Sequence, residues 1–372
     1  MRRVGKVLTG VDRVELAYAQ ALLADPVPVF ALIRAPLGYI VLDQAGVAQV
    51  VPVLAAAAVP PSVDHNKQAW RVARRNAIGR VPPALLRRAL RTKLPAGFTY
   101  LNVGHSNLTH RVLSTMRATG SKITVLIHDV IPLDFPQFQR EGTVAPFAAM
   151  IARVGRFADL LIYNSQDTRT CTQAHLTHPP QSIVAHLGTD APTPIAEDLP
   201  EGLPPPAPYF LCIGTIEPRK NHAFLLDLWE EMGNAAPDLI IAGGRGWKNE
   251  DVFSRLDALP KSGPIREVSG LSDGALAALT AGSCGVVFPS HAEGFGLPLT
   301  QAVMQGVPVI ANDLPVFREI VGEIPVYASV SDRYLWLNKI KELAATSPGV
   351  SKSPQFQPPG WDAHFKIVLR LT

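Results

Sequence analysis

The residues best suited to chemistry in this chain include a glutamate in a glycine-bearing loop. The segment FPSHAEGFGLPLTQA (residues 288–302) follows an apolar run and places Glu293 just before a predicted helix. Pro298 is predicted at the first helical position, where a missing N–H group loses no hydrogen bond. The N–H groups of a first helical turn bind anions such as a diphosphate, and Glu293 is placed to meet sugar hydroxyls. A plain strand-to-helix turn with a solvated glutamate is the alternative interpretation.

A pair of adjacent cations lies earlier in the chain. Residues 209–214, YFLCIG, are predicted to form a strand that ends in Gly214, and Arg219 and Lys220 follow it. A guanidinium can hold two phosphate oxygens and an ammonium adds a point charge, so the pair suits a phosphate-bearing leaving group. An ordinary solvated Arg-Lys pair is the alternative.

Together the two stretches resemble the donor-nucleotide half of the family 4 (group 1) retaining glycosyltransferases of the GT-B fold. Their signature is a Glu, seven residues and a second Glu, with an Arg-Lys pair upstream; here Glu293 and Gln301 hold the two signature positions. The resemblance implies an α/β protein with two Rossmann-like domains facing each other across a ligand cleft. It also implies sugar transfer, with retained anomeric configuration, from a nucleotide-diphosphate donor (a UDP- or GDP-sugar). The implied acceptor is a glycan or lipid-linked glycan in surface polysaccharide synthesis.

The resemblance also assigns roles to individual residues. Arg219 and Lys220 would stabilise the leaving diphosphate, Glu293 would hold sugar hydroxyls, and His128 would contact the sugar from the opposite domain. The implied donor-binding residues are Gly10, Gly214, Gly243, Gly270, Leu271, Phe295, Gly296, Leu297 and Gln301. Members of this fold need no bound metal and the chain has no D-x-D pattern, so we expect neither a metal nor a cofactor.

Gln301 departs from the family signature. The second Glu of the signature accepts hydrogen bonds from the nucleotide's ribose, and a glutamine keeps one acceptor oxygen without the charge. The change would also fit a catalytically impaired protein that binds nucleotide sugar, and an epimerase of nucleotide sugars on the same fold is a further interpretation. A dehydrogenase is not favoured, because G-x-G-x-x-G is absent from the first strand-loop-helix unit.

Alternating apolar runs and helical patterns must position these residues. Near the start, Gly10 is expected in a glycine loop before the first helix, with Asp12 and Glu15 as a capping pair. The segment MRRVGKVL predicts either a very short first strand or a chain that starts late relative to its relatives. Residues 122–127 are predicted as a buried strand that delivers His128 and Asp129 to its carboxyl end, where open parallel sheets keep their ligands.

The chain is long enough for two domains. Residues 192–208 contain seven prolines and few bulky apolar groups, which is typical of a linker. We therefore expect an acceptor-side Rossmann-like domain over residues 1–191 and a nucleotide-sugar-binding Rossmann-like domain over residues 209–355. A final helix within residues 356–372 is expected to cross back to the first domain, as in relatives.

Charge is divided unequally along the chain. Residues 1–190 carry 21 Lys and Arg against 11 Asp and Glu, whereas the remainder carries 14 against 20. Residues 67–93 hold nine basic residues, no acidic residue and several interleaved apolar ones. Such a stretch suits an anionic membrane surface, while a solvated basic helix face is the alternative. No nucleic-acid-binding motif accompanies it, so nucleic acid is not expected.

Composition also bears on location. The three cysteines, at 171, 212 and 284, are far apart and are expected to be reduced core residues rather than a disulfide frame or a metal site. The first residues lack the apolar core of a signal peptide, and no clean transmembrane stretch is evident. We expect a cytoplasmic protein, with peripheral binding to the inner face of the membrane as a further option.

Overall fold

The computed structural model describes residues 8–56, 63–206, 208–260, 262–346 and 356–371. The α-helices of these residues are α1 (Gly10–Ala24), α2 (Gln44–Ala56), α3 (Val63–Arg75), α4 (Leu86–Lys93), α5 (His110–Ala118), α6 (Ile131–Asp134), α7 (Val144–Phe157), α8 (Gln166–Ala174), α9 (His222–Met232), α10 (Glu250–Ala258), α11 (Asp273–Gly282), α12 (Leu297–Met304), α13 (Pro315–Val321), α14 (Arg333–Ala344) and α15 (Trp361–Val368). The strands are β1 (Ala31–Ala35), β2 (Gly38–Leu42), β3 (Gly79–Val81), β4 (Thr99–Asn102), β5 (Lys122–Ile127), β6 (Leu160–Tyr163), β7 (Gln181–Val184), β8 (Tyr209–Ile213), β9 (Asp238–Ala242), β10 (Ile265–Val268), β11 (Gly285–Phe288), β12 (Val309–Ala311) and β13 (Val326–Tyr327). The short first strand expected in residues 1–8 falls almost entirely outside the described residues.

The largest sheet has six parallel strands in the order β10-β9-β8-β11-β12-β13. Every residue of β8 and β11 is buried, because helices cover both faces of the sheet and leave no face for polar side chains. The strand order reverses between β8 and β11, which are direct neighbours. In sheets of this kind the ligand crevice lies at the carboxyl ends of the strands on either side of that reversal. The Arg219 and Glu293 loops follow these two strands.

Two smaller sheets form the first half of the chain. Strands β4-β5-β6-β7 are parallel, and β1-β2-β3 form a separate antiparallel sheet. Tyr39 and Val41 of β2 belong to the same apolar core as Ile123 and Val125 of β5, so the two sheets share one interior. The two parallel sheets confirm the predicted α/β architecture of two Rossmann-like domains.

The first helix begins differently from the prediction. Thr9 is the N-cap: its hydroxyl accepts from the N–H of Asp12, and the Asp12 carboxylate accepts from the N–H of Thr9 at 2.8 Å. Asp12 therefore holds the N3 position, which closes the capping box, and is not the N-cap residue that opens it. Gly10 consequently lies in the first turn of α1 rather than in a glycine loop, so that expectation is wrong. On this helix Val14 and Tyr18 are buried.

The proline-rich segment lies along the helices of the six-stranded sheet. Its turn at Ala196–Asp198 packs on α11, where Ile195 N–H donates to the carbonyl of Gly274 at 3.0 Å. The segment carries the chain from β7 to β8, and we propose it as the domain boundary. The last helix, α15, packs against the first domain, where His364 Nε2 lies 2.7 Å from the hydroxyl of Tyr18.

Polar contacts join the two domains at several points. Arg13 of α1 forms a two-pronged ion pair with Asp273 of α11 at 2.6 and 2.5 Å. The carboxylate of Glu319 on α13 accepts from the N–H groups of Gln166 and Asp167 at the start of α8, at 2.6 and 3.0 Å. The domains are thus held facing each other. No helix in the described part of the chain is long and apolar enough to cross a membrane.

Candidate active site

The loop after β11 presents Glu293 between the two domains. Strand β11 ends at Phe288, and α12 begins at Leu297 with Pro298 in its second position rather than its first. Gly296 precedes the helix with a φ of 89°, and a β-carbon there would lie 2.7 Å from the ring of Phe317. Both the backbone conformation and the packing therefore require glycine. The loop is compact and pins Glu293 just ahead of the helix start.

Glu293 is bound by three side chains in the described structure. Its Oε1 accepts from Lys220 Nζ at 2.5 Å and from Ser290 Oγ at 2.7 Å, while its Oε2 accepts from Arg219 at 2.8 Å. Burial alone would raise the pKa of this carboxyl, but Lys220 and Arg219 outweigh that effect and lower it to about 2. Glu293 is therefore an anion at neutral pH.

Arg219 bridges two carboxylates. Its Nε lies 2.5 Å from Glu217 Oε1, on the side away from the Glu293 contact. Burial works against the charge on this guanidinium, yet Glu293 and Glu217 raise its pKa, so it stays a cation. The loops after β8 and β11 thus bring Glu217, Arg219, Lys220 and Glu293 into one charged cluster, in which burial raises the pKa of Glu217 and Arg219 opposes that rise.

The opposite wall of the cleft is the carboxyl end of β5. His128 is buried, and its Nε2 lies 2.6 Å from the carbonyl of Val103, which can only accept. Nε2 therefore carries the proton. Burial lowers the pKa of His128, so the ring is neutral at pH 7 and its Nδ1 is a hydrogen-bond acceptor.

Asp129 brings a third carboxyl to the cleft. Burial raises its pKa, while the nearby Arg219 of the other domain opposes that rise. The contact between the domains is close here: a β-carbon on Gly294 would lie 2.8 Å from the carbonyl oxygen of His128 and 3.2 Å from Asp129 Oδ2. The predicted residues His128 and Glu293 are therefore on facing walls of one cleft.

The remaining predicted donor residues lie at the same sheet edge. The loops after β8 and β9 meet where a β-carbon on Gly243 would lie 1.9 Å from the carbonyl oxygen of Gly214. Gly270 and Leu271 follow β10, and Gly270 has a φ of 76°. Phe295 is buried beneath the Glu293 loop. Two further predicted residues meet across the cleft, because a β-carbon on Gly10 would lie 3.5 Å from Leu297 Cδ1.

Gln301 lies one turn into α12 and is half-buried. Its amide Nε2 donates to the main-chain carbonyl of Asp190 at 3.1 Å, so the side chain is tied to the segment that enters the linker. Its Oε1 is the atom that would accept from a ribose. The predicted role in ribose binding stays a prediction.

Sequence reasoning missed Glu217, a member of the cluster, and Ser290, which binds Glu293. Glu217 stands two residues before Arg219, so the spacing of these opposite charges could have indicated the pair. Ser290 stands three residues before Glu293, and a serine in a loop gives no comparable signal. Among the described residues no group of three or more His, Cys, Asp or Glu is arranged to hold a metal ion.

The arrangement suits charge stabilisation. The buried Lys220 and half-buried Arg219 lie near the start of α12, and the cations and the helix start both favour an anion that develops negative charge. A carboxylate and a neutral imidazole nearby can accept hydrogen bonds from hydroxyl groups. Two parallel α/β sheets with such a cleft between them define the architecture of a GT-B glycosyltransferase.

Comparison with known proteins finds one family model. Residues 197–324 match the model described as group 1 glycosyl transferases, so this part of the chain is similar to that family. Solved structures agree on the fold: the sucrose-phosphate synthase of Thermosynechococcus elongatus superposes with a TM-score of 0.62 at 16% identity, over 99% of this chain and 93% of its own. Anabaena HepE, solved in complex with UDP and glucose, gives 0.57 at 16% identity, over 73% and 76%.

Curated relatives are mannosyltransferases. The chain is 32% identical over 236 residues to the serotype-specific mannosyltransferase WbdA of Escherichia coli, covering 58% of this chain and 29% of that protein. It is 36% identical over 128 residues to the O-antigen chain mannosyltransferase B of the same species, covering 33% of each chain. The chain thus spans well under half the length of these relatives.

Proposed function

We propose that this protein transfers a sugar from a nucleotide-diphosphate donor to a glycan or lipid-linked glycan, with retention of the anomeric configuration. The observation that carries the proposal is the cluster of Arg219, Lys220 and Glu293, whose loop packs at Gly294 against the main chain of His128 across the cleft. The names of the relatives favour mannose as the sugar and surface polysaccharide as the product. A cytoplasmic location fits the supply of nucleotide sugars.

The chemistry follows from the charges. The bond between the anomeric carbon and the phosphate oxygen breaks, leaving an oxocarbenium-like carbon and a more negative diphosphate. The acceptor's hydroxyl oxygen would then bond to that carbon, and its proton would pass to the departing diphosphate. Arg219, Lys220 and the start of α12 would stabilise that diphosphate, each contact lowering the barrier by ~3 kcal/mol as at other preorganised sites. No step requires a metal ion, so we propose a metal-independent reaction.

Glu293 and His128 would position the sugar. The carboxylate already accepts from Lys220, Ser290 and Arg219, so a sugar hydroxyl would bind to the remaining lone pair of Oε2. The Nδ1 of His128, left as an acceptor by the proton on Nε2, would accept a hydrogen bond from a sugar hydroxyl on the other side. Retention would follow if the acceptor approached from the face that the diphosphate leaves.

The donor site would continue along the edge of the six-stranded sheet. Gly243, Gly270 and Leu271, in the loops after β9 and β10, would border the nucleotide base. Gln301 Oε1 would accept from the ribose. HepE was solved with UDP and glucose, and we propose a UDP- or GDP-sugar for this chain.

A screen of UDP-, GDP- and TDP-sugars with a water-soluble glycan acceptor tests the proposal. We expect one donor to be consumed with formation of a glycosylated product, fastest for a mannosyl donor. Binding without consumption would instead support an impaired nucleotide-sugar-binding protein. Conversion of the donor's sugar without an acceptor would support an epimerase.

A further inference from the structure

The tip of the β1–β2 hairpin presents an apolar side chain to solvent. Leu37 is 90% exposed, and Leu85, two residues after Pro83, is 52% exposed. The hairpin turn, Pro83 and the start of α5 enclose a groove of about 290 Å³ that is also lined by Arg34 and Arg111. We call Arg34, Leu37, Leu85, Arg88 and Arg111 the hairpin-tip surface.

Backbone packing fixes the outward direction of Leu37. The turn is tight, because Ala35 pairs directly with Gly38. Gly38 has a φ of 141°, and a β-carbon there would lie 2.2 Å from the carbonyl oxygen of Val81. The back of the hairpin is therefore pressed on β3, and the Pro36–Leu37 turn has no room to fold inward. Leu37 is held out by a rigid support.

The surroundings of the tip are strongly basic. Residues 65–128 contain 12 Lys and Arg and no Asp or Glu. Helix α4 buries Leu86 and Leu90 and turns its arginines outward, with Arg88 one turn from Leu85. Where the structure gives these cations a partner it is often a neutral carbonyl, as for Arg91 with Ala118 and Lys93 with Ile78. Such contacts leave the positive charge uncompensated.

We propose that the hairpin-tip surface docks on an anionic lipid bilayer, with Leu37 and Leu85 entering the interface and the arginines binding lipid phosphates. Single exposed leucines are common on soluble proteins. Here Leu37 and Leu85 are accompanied by positively charged side chains, which complement the negative charge of the membrane surface. An acidic polymer would bind the arginines, but its binding would not depend on Leu37. This proposal goes beyond sugar transfer and places the residues 67–93 within a larger surface.

Vesicle sedimentation tests the proposal on the full chain. We expect binding to vesicles of equal parts phosphatidylglycerol and phosphatidylcholine, weak binding to pure phosphatidylcholine, and loss of binding as salt screens the charges. Leu37→Ser should weaken binding about tenfold, since a buried leucine side chain is lost from the interface. Arg34→Glu with Arg111→Glu should abolish it.

Matched controls come from helices α14 and α15. Tyr334, on α14, is 76% exposed, and Tyr334→Ser removes a comparable exposed apolar side chain. Lys341→Glu with Lys366→Glu changes the net charge as much as the double arginine reversal does, at two exposed positions. We expect both controls to bind vesicles like the parent protein.

Two outcomes would overturn the proposal. One is equal binding to neutral and anionic vesicles, and the other is a Leu37→Ser variant that binds like Tyr334→Ser. Transfer to a water-soluble acceptor is measured in parallel and should be unchanged in Leu37→Ser. Failure of transfer in every variant, with vesicle binding intact, would refute the proposed function and leave the docking surface standing.

Discussion

The Nζ of Lys220 lies 2.5 Å from Oε1 of Glu293, and the two side chains are only 9% and 8% exposed. A cation proposed to bind diphosphate is therefore already neutralised by a carboxylate of its own domain. Removing one member of a buried pair costs about 3–5 kcal/mol, because the other is left buried and uncompensated. Tests of this site must therefore keep polarity and size while they change charge.

Glu293→Gln tests the carboxylate with little change in shape. We expect kcat to fall by roughly a hundredfold and the donor KM to change much less, because contacts to the sugar tighten at the transition state. Steady-state kinetics of transfer measures both constants. A rise in KM with unchanged kcat would show that Glu293 contributes only uniform binding.

Arg219→Gln combined with Lys220→Gln tests the leaving-group site. Turnover should fall by about 10²–10³-fold for each lost contact to the developing charge. Circular dichroism and gel filtration must show a folded protein, and Lys341→Gln, on an exposed face of α14, is the matched control. Unchanged transfer in the folded double variant would contradict a role at the diphosphate.

Because the pKa of Glu293 is low, the free energy of unfolding depends on pH in the acidic range. Its folded value of about 2 lies below the ordinary 4.5, so the anionic form stabilises the fold above pH 4.5 and that contribution is lost as pH falls toward 2. The difference is worth about 3 kcal/mol of unfolding free energy. Urea denaturation across this range should show a flatter pH dependence for Glu293→Gln than for the parent protein. Glu323→Gln, which changes an exposed carboxylate, should keep the parent's slope.

Gly294→Ala tests the closeness of the two domains. The added β-carbon would lie 2.8 Å from the carbonyl oxygen of His128, a distance that real β-carbons do not reach. We expect the cleft to open slightly, so that transfer falls by at least tenfold while calorimetry gives an unchanged affinity for the nucleoside diphosphate. Wild-type transfer rates would mean that the closed arrangement is not needed for turnover.

Gln301 is tested by two substitutions. Gln301→Ala should weaken binding of the nucleoside diphosphate by about 1–3 kcal/mol, the cost of leaving a buried polar partner unsatisfied. Gln301→Glu should keep or improve that affinity, since a charged acceptor makes the stronger hydrogen bond. The Gln301→Glu variant also loses the side-chain amide that donates to the carbonyl of Asp190, so the thermal stability of this variant should fall. Unchanged affinity in Gln301→Ala would rule out the ribose role.

The sequence predicted the parallel sheets and the two loops of the site because buried apolar runs and their breakers are local signals. It could not predict that Arg219 and Lys220 are paired with Glu293, since these residues meet only through the adjacency of β8 and β11. The cap of α1 was misplaced because Thr9 and Asp12 both fit a capping pattern, and the actual hydrogen bonds decide between them. Glu319 lies more than a hundred residues from α8 in the sequence, so no local pattern could predict its contact with the start of that helix.

That contact links domain separation to the stability of a helix end. Ser165 Oγ accepts the N–H of Thr168, and Glu319 accepts those of Gln166 and Asp167, so the first turn of α8 depends on a carboxylate from the other domain. When the domains part, those two amides lose their acceptor and become accessible to solvent. The rate of hydrogen–deuterium exchange at these two amides therefore reports how often the domains separate, and its measurement needs no label in the cleft.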